Sequence, residues 1–139
     1  MVIGALDPGR DKCGIAVLSG GDGAPTRVLC QNVIETKKLE EEAAALVAAF
    51  SPTCFVCGNG TTSARATQRL ADCTGLPVEV VDEYRTTELA KKKYWEAHPP
   101  RGLRRLLPTG MQVPPVPVDD YVAVILGTRY LEGKESQKP

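Results

Sequence analysis

A chain of 139 residues is long enough for one compact domain and too short for two ordinary ones, and its 42% apolar and 24% charged residues are those of a globular protein, not of a disordered or fibrous one. Seventeen basic and 17 acidic residues cancel to zero net charge, which excludes a uniformly basic polyanion binder and confines any such surface to a local patch. No apolar run approaches the roughly 18 residues of a membrane span, and no basic-then-apolar leader opens the chain, so no membrane partner and a cytoplasmic location are expected.

The apolar run over 2–6 stops at Asp7-Pro8-Gly9 and resumes over 14–18, the pattern of two strands joined by a charged turn. Gly20-Gly21-Asp22-Gly23 makes a second turn, and β-branched residues over 27–34 supply a third strand. Leu39, Ala43, Leu46, Val47 and Phe50 then recur on one helical face, and Ser51-Pro52 ends that helix. A short buried strand is expected over 54–57. The Gly58-Asn59-Gly60 turn, a helix over 63–73 and a strand over 78–81 follow. Thr86 or Thr87 starts a helix that runs to about His98, where Pro99-Pro100 breaks it. A proline-rich stretch reaches Pro117. Val122, Ala123, Ile125, Leu126 and Tyr130 mark a last amphipathic helix, and 133–139 reads as a disordered tail behind a domain over 1–132.

The order is βββαβαβαα or βββαβαβα. Three antiparallel strands followed by alternating helices and strands predict an α/β fold, a mixed five-stranded sheet with helices on both faces, because successive parallel strands need helical crossovers. The ribonuclease H-like fold has this order. It hosts nucleases, transposases and sugar kinases, so the side chains must decide between them.

The five cysteines are odd in number and sit in apolar segments, which fits reduced packing residues. Cys54 and Cys57 form a Cys-x-x-Cys pair, but within a strand residues three apart point to opposite faces, and no second pair completes a zinc site. His98, the one histidine, ends a helix and is expected to meet helix carbonyls.

Three groups of acids stand at element ends. Asp7 follows the first strand and reads either as a turn aspartate or as a site residue. Asp82 and Glu83 follow the 78–81 strand on opposite faces, and read either as caps for the next helix or as ligands. Asp119 and Asp120 begin the last helix, where the helix dipole alone accounts for acids. Asp119 nevertheless precedes Val122, Ala123 and Leu126 by three, four and seven residues, in line with the buried stripe, whereas Asp120 lies off it. A carboxylate facing a core needs a partner, and a metal is one. Mg²⁺ takes carboxylate oxygens together with phosphate, and a pair of such ions serves phosphodiester hydrolysis.

The stretch Leu6-Asp7-Pro8-Gly9-Arg10-Asp11-Lys12-Cys13-Gly14-Ile15-Ala16-Val17 resembles the first motif of the YqgF (RuvX) family of RNase H-like nucleases, described as Holliday-junction-resolvase-like and as pre-16S rRNA processing nucleases. Val81-Asp82-Glu83-Tyr84-Arg85-Thr86-Thr87 is similar to its second motif, with the arginine one place later, and 118–126 to its closing helix. The family's usual Gly-Leu-Pro after the fourth strand is Gly58-Asn59-Gly60 here. RuvC resolvases share the Asp-Pro-Gly start but carry a glutamate ending the fourth strand, where this chain has Gly58.

The resemblance implies Asp7, Glu83 and Asp119 as a catalytic, metal-binding triad for Mg²⁺ or Mn²⁺. It also implies an endonuclease acting on structured RNA or branched DNA, with a homodimer suited to symmetric cutting of a junction. Arg85, Arg104 and Arg105 are expected to contact nucleic acid. Lys91, Lys92 and Lys93 read as a solvated helix face, and Thr61-Thr62-Ser63 as either a phosphate contact or a cap. A second reading is a non-catalytic nucleic-acid-binding or ribosome-assembly protein on the same fold, to be told apart by metal-dependent cleavage. An actin-like ATPase needs two such domains, and this chain holds one.

Overall fold

The computed structural model describes residues 1–60, 62–99 and 117–136. One five-stranded sheet organises them, built from β1 (Val2–Asp7), β2 (Lys12–Gly21), β3 (Ala24–Glu35), β4 (Phe55–Gly58) and β5 (Val78–Val81) in the spatial order β3-β2-β1-β4-β5. The first three strands pair antiparallel, and β1–β4 and β4–β5 pair parallel. The parallel pairs require crossovers, which α1 (Leu39–Phe50) and α2 (Ser63–Thr74) supply. α3 (Thr86–Ala97) and α4 (Asp119–Ser136) complete the order.

Strand alternation divides the core into two layers. Leu6, Cys13, Ile15, Phe55 and Cys57 point toward α1 and α2, where they meet Leu39, Ala43, Ala66 and Leu70. Ile3, Ala5, Ala16, Leu18 and Val56 point the other way, against Ala123, Val124 and Leu131 of α4. α3 rests on α4 through Ala90, Val122, Ile125 and Leu126. The central strand β1 is thus covered on both faces, as its unbroken apolar run anticipates. Asp7 continues the Ile3, Ala5 register, so it emerges at the strand's C-terminal end on the α4 side.

Expected and observed boundaries differ where apolar pattern and backbone pairing diverge. β2 and β3 both exceed the expected 14–18 and 27–34, because β3 is a largely exposed edge strand whose pairing extends past its buried residues. The turn between them narrows to Asp22 and Gly23, both at positive φ. β4 begins one residue later than expected and includes Gly58. α4 begins at Asp119 and runs to Ser136, so residues 133–136, expected in the tail, continue the helix. The proline-rich stretch up to 116 lies outside the described residues.

None of the five cysteines is in a disulfide, and Cys54 and Cys57 enter opposite core layers. Among the described residues no helix is long and apolar enough to cross a membrane.

Candidate active site

Asp7, Glu83 and Asp119 meet at the C-terminal end of β1. The Asp7 carboxyl lies in hydrogen-bond contact with both of the others, and its pKa is pushed up to about 8, first by burial and then by the charges of Asp119 and Glu83. The Asp119 carboxyl is also raised, by burial and by Asp120, against the opposing pull of its bond to Asp7 and of the Lys12 ammonium. The three acids come from residues far apart in sequence, so the fold alone brings them together.

Asp119 reaches Asp7 because β2 offers no side chain in its way. Asp7 is registered opposite Gly14, and a Cβ on Gly14 would collide with the Asp119 backbone carbonyl. The start of α4 therefore lies directly on bare β2 backbone. Asp120, one residue on, turns aside and accepts a 2.9 Å hydrogen bond from Gln31 Nε2 on β3. The two half-buried aspartates therefore meet different strands, Asp119 at the end of β1 and Asp120 on β3.

Glu83 is held by its main chain and given room by two glycines. Its N–H donates to Asn59 Oδ1 at 3.0 Å, and its carbonyl accepts from the Thr86 N–H and from Thr86 Oγ1 at 2.8 Å. Asp82 Oδ1 accepts the Tyr84 N–H at 3.0 Å, the ordinary role of a turn aspartate. Arg129 of α4 donates to the carbonyls of Asp82 and Tyr84, on either side of Glu83. The Glu83 carboxyl lies over Gly58 and Gly60, and a Cβ on Gly58 would overlap it. Where the RuvC pattern places a glutamate, this chain leaves a gap, and Glu83 from the turn after β5 fills it.

The remaining candidates are less central. Arg85 precedes α3 in the left-handed region, φ 58°, and its exposed guanidinium pairs with Glu88 at 3.2 Å. Arg104 and Arg105 lie outside the described residues. Tyr94 and Trp95 are core residues, and His98 approaches the Tyr94 carbonyl with Nδ1 at 3.2 Å while its ring stacks on Tyr94. Asn59 and Arg129 were not anticipated. The Gly58-Asn59-Gly60 departure hinted at the first, but Arg129, on the polar side of a helix, carried no signal.

The donor set is three carboxylates, hard oxygen ligands that fit Mg²⁺ or Mn²⁺. Among the described residues no three His, Cys, Asp or Glu side chains stand ready around one ion. Instead the Asp7 carboxyl bonds to the carboxyl of each neighbour, an arrangement that favours its protonated form.

No family model matches the chain. A Symbiobacterium thermophilum protein named "Putative pre-16S rRNA nuclease" is 31% identical over 153 aligned positions, which cover 100% of this chain and 97% of the relative. Among solved structures, RuvC of Thermus thermophilus superposes with a TM-score of 0.63 at 16% identity, covering 99% of this chain and 98% of its own. The fowlpox virus resolvase, solved with substrate Holliday junction DNA, gives a TM-score of 0.63 at 15% identity, over 96% of this chain and 98% of its own. Identities this low establish the fold, RNase H-like with a mixed five-stranded sheet. The full-length 31% match goes further, and by it the chain belongs to the pre-16S rRNA nuclease (YqgF/RuvX) family of RNase H-like nucleases.

Proposed function

We propose that this protein is a metal-dependent endonuclease that hydrolyses phosphodiester bonds of structured RNA at Asp7, Glu83 and Asp119. The observation that carries the reading is the convergence of three carboxylates at one strand end, with Asp7 raised to about 8 by burial and by the other two. Clustering like charges in a half-buried place is unfavourable for folding alone, and perturbed groups of this kind gather where function requires them. Mg²⁺ or Mn²⁺ bound by these carboxylates supplies positive charge to the phosphate oxygens and lowers the pKa of water.

The chain's own residues then have separable tasks. Asp7 sits between the other two and fixes their spacing. Asn59, Thr86 and Arg129 hold the main chain of 82–84, so Glu83 is presented from a braced turn. Lys12, whose charge acts on Asp119, is placed to meet phosphate entering the site. Arg85 sits on the same β5–α3 turn as Glu83, and exchange of its Glu88 partner for a phosphate would steady charge at the rim. RNA is preferred over DNA because the full-length relative bears an rRNA nuclease name, whereas the proteins described with junction DNA share only the fold.

The test compares wild type with Asp7→Asn on structured pre-rRNA ends, single strands and a four-way DNA junction, with Mg²⁺, with Mn²⁺ and with chelator. Metal-dependent cleavage of structured RNA by wild type, lost in the variant, is expected. Wild-type cleavage no greater than that of the variant on every substrate would sink the nuclease reading.

A further inference from the structure

Beside the carboxylates, on the opposite side of the β1–β2 turn, lies an open cleft of about 780 Å³. Three segments distant in sequence form it: the turn at 9–13, the end of β3 with the single 3₁₀ turn Thr36–Lys38, and the first turns of α2. Arg10, Lys12, Lys37 and Arg65 line its rim, all exposed, against the two acids Asp11 and Glu35. Lys37 leans on Glu35 at 3.4 Å, but among the described residues Arg10, Lys12 and Arg65 have no ion-pair partner. In a chain of zero net charge this is a local concentration of unpaired cations.

The floor of the cleft is rigid. Thr36 donates its hydroxyl to the Gly9 carbonyl at 2.9 Å and its N–H to the Asp11 carbonyl at 2.9 Å. Arg69 holds Glu40 with two bonds of 2.6 Å and donates to the Thr36 carbonyl at 2.8 Å. Arg69 is therefore committed to structure, tying α1, α2 and the Thr36 turn together, and leaves the rim cations to face outward. Thr62, which precedes α2, makes no capping hydrogen bond with its side chain although it lines the cleft. Its hydroxyl adds a neutral donor to the charged ones.

Lys12 connects the two places. It lines the cleft, and its charge is felt by Asp119 across the turn. Asp7 and Arg10 are three residues apart in the chain, so their Cα atoms lie within roughly 11 Å. A strand with one phosphate at the carboxylates reaches the cleft within a few nucleotides.

We propose that this cleft is a second phosphate-binding subsite, which takes the sugar–phosphate backbone of the strand flanking the scissile bond. The identity of that strand rests on the nuclease reading, whereas the polyanion-binding chemistry rests on the cleft itself. Arg10 and Arg65 grip phosphate oxygens from the two walls, Lys12 hands the backbone on toward Asp119, and Thr62 supplies an uncharged donor. No base-specific contact is required, so the subsite fixes the position of the strand and leaves its sequence unread.

The experiment measures binding apart from cleavage. A fluorescently labelled single-stranded RNA is titrated with Asp7→Asn protein in chelator over a salt series, with and without Arg10→Ala and Arg65→Ala together. Affinity is expected to fall about tenfold or more, and the slope of log affinity against log salt to shrink by about 1.4, two phosphate contacts on a single strand. Arg10→Lys with Arg65→Lys should restore most of both, and melting temperatures should be unchanged because the two side chains are exposed. In the catalytic background the alanine pair should raise KM with little change in kcat.

Unchanged affinity and slope overturn the subsite, as does an equal loss from Lys92→Ala with Lys93→Ala on α3, which would signal only bulk charge. A subsite effect on binding in a protein that cleaves nothing would support the cleft and reject the nuclease reading. Cleavage with unaltered binding would do the reverse.

Discussion

Asp7 carries opposing demands from stability and chemistry. Its folded pKa of about 8 lies above its ordinary 3.8, so its contribution to stability is full below about pH 4 and is lost as pH rises through about 8. Asp7→Asn keeps the shape without the charge. In chelator the variant is expected to melt near the wild type at pH 4 and roughly 5 °C or more above it at pH 8, while losing cleavage by about a hundredfold or more. Mn²⁺ should raise the wild-type melting temperature at pH 8 and leave the variant nearly unmoved, because a ligand stabilises only the form that binds it. A variant that is less stable than wild type at pH 8 would contradict the crowding of charge described here. Gly58 is the complementary case, since its space is already occupied by the Glu83 carboxyl. Gly58→Ala should lower kcat about tenfold or more by displacing that carboxyl, at a stability cost of about 1–3 kcal/mol, read by kinetics and urea unfolding.

Among the elements, α4 does the most to assemble the site. Its first residue is one of the three acids, its second anchors to Gln31, and nine residues beyond the second Arg129 braces the turn that presents Glu83. Arg129→Ala should reduce kcat about tenfold with a small change in melting temperature, because the contacts it loses are exposed. Arg129→Lys should rescue little, since one ammonium cannot reproduce the planar fork that spans two carbonyls. Gly14→Ala should lift the first turn of α4 away from β2 and separate Asp119 from Asp7, costing both activity and about 1–3 kcal/mol of stability. The sequence made the α4 contribution half legible. Asp119 shares a contiguous helical period with Val122, Ala123 and Leu126, so its inward direction could be read. The role of Arg129 depends on where a separate strand and turn come to lie, and no local pattern records that. Glu83 stands between these cases, because strand alternation separated it from Asp82 but only the pairing of β4 with β5 sets it over Gly58.

Across the whole molecule two electrostatic clusters set opposite pH limits. Glu40, held by Arg69, is drawn down to about 2 from an ordinary 4.5, so its contribution is present above about pH 4.5 and lost as pH falls toward 2. Glu40 is about half exposed, which limits this to no more than about 1 kcal/mol. With the loss at Asp7 on the alkaline side, metal-free stability should peak near pH 4 to 5, and a thermal-melting series across pH 2–9 in chelator checks it. Among the described residues the order of strands and helices follows one of the two orders read from the sequence, because each element carries its own period. The cleft was not, since it joins residues near 10, 36 and 65 that become neighbours only when the sheet and α1 and α2 have packed. The same separation has a consequence in time. Asp119 is synthesised more than a hundred residues after Asp7, on the helix that covers the β1 face. On the growing chain, then, the three carboxylates cannot meet until α4 has emerged and docked against the β1 face.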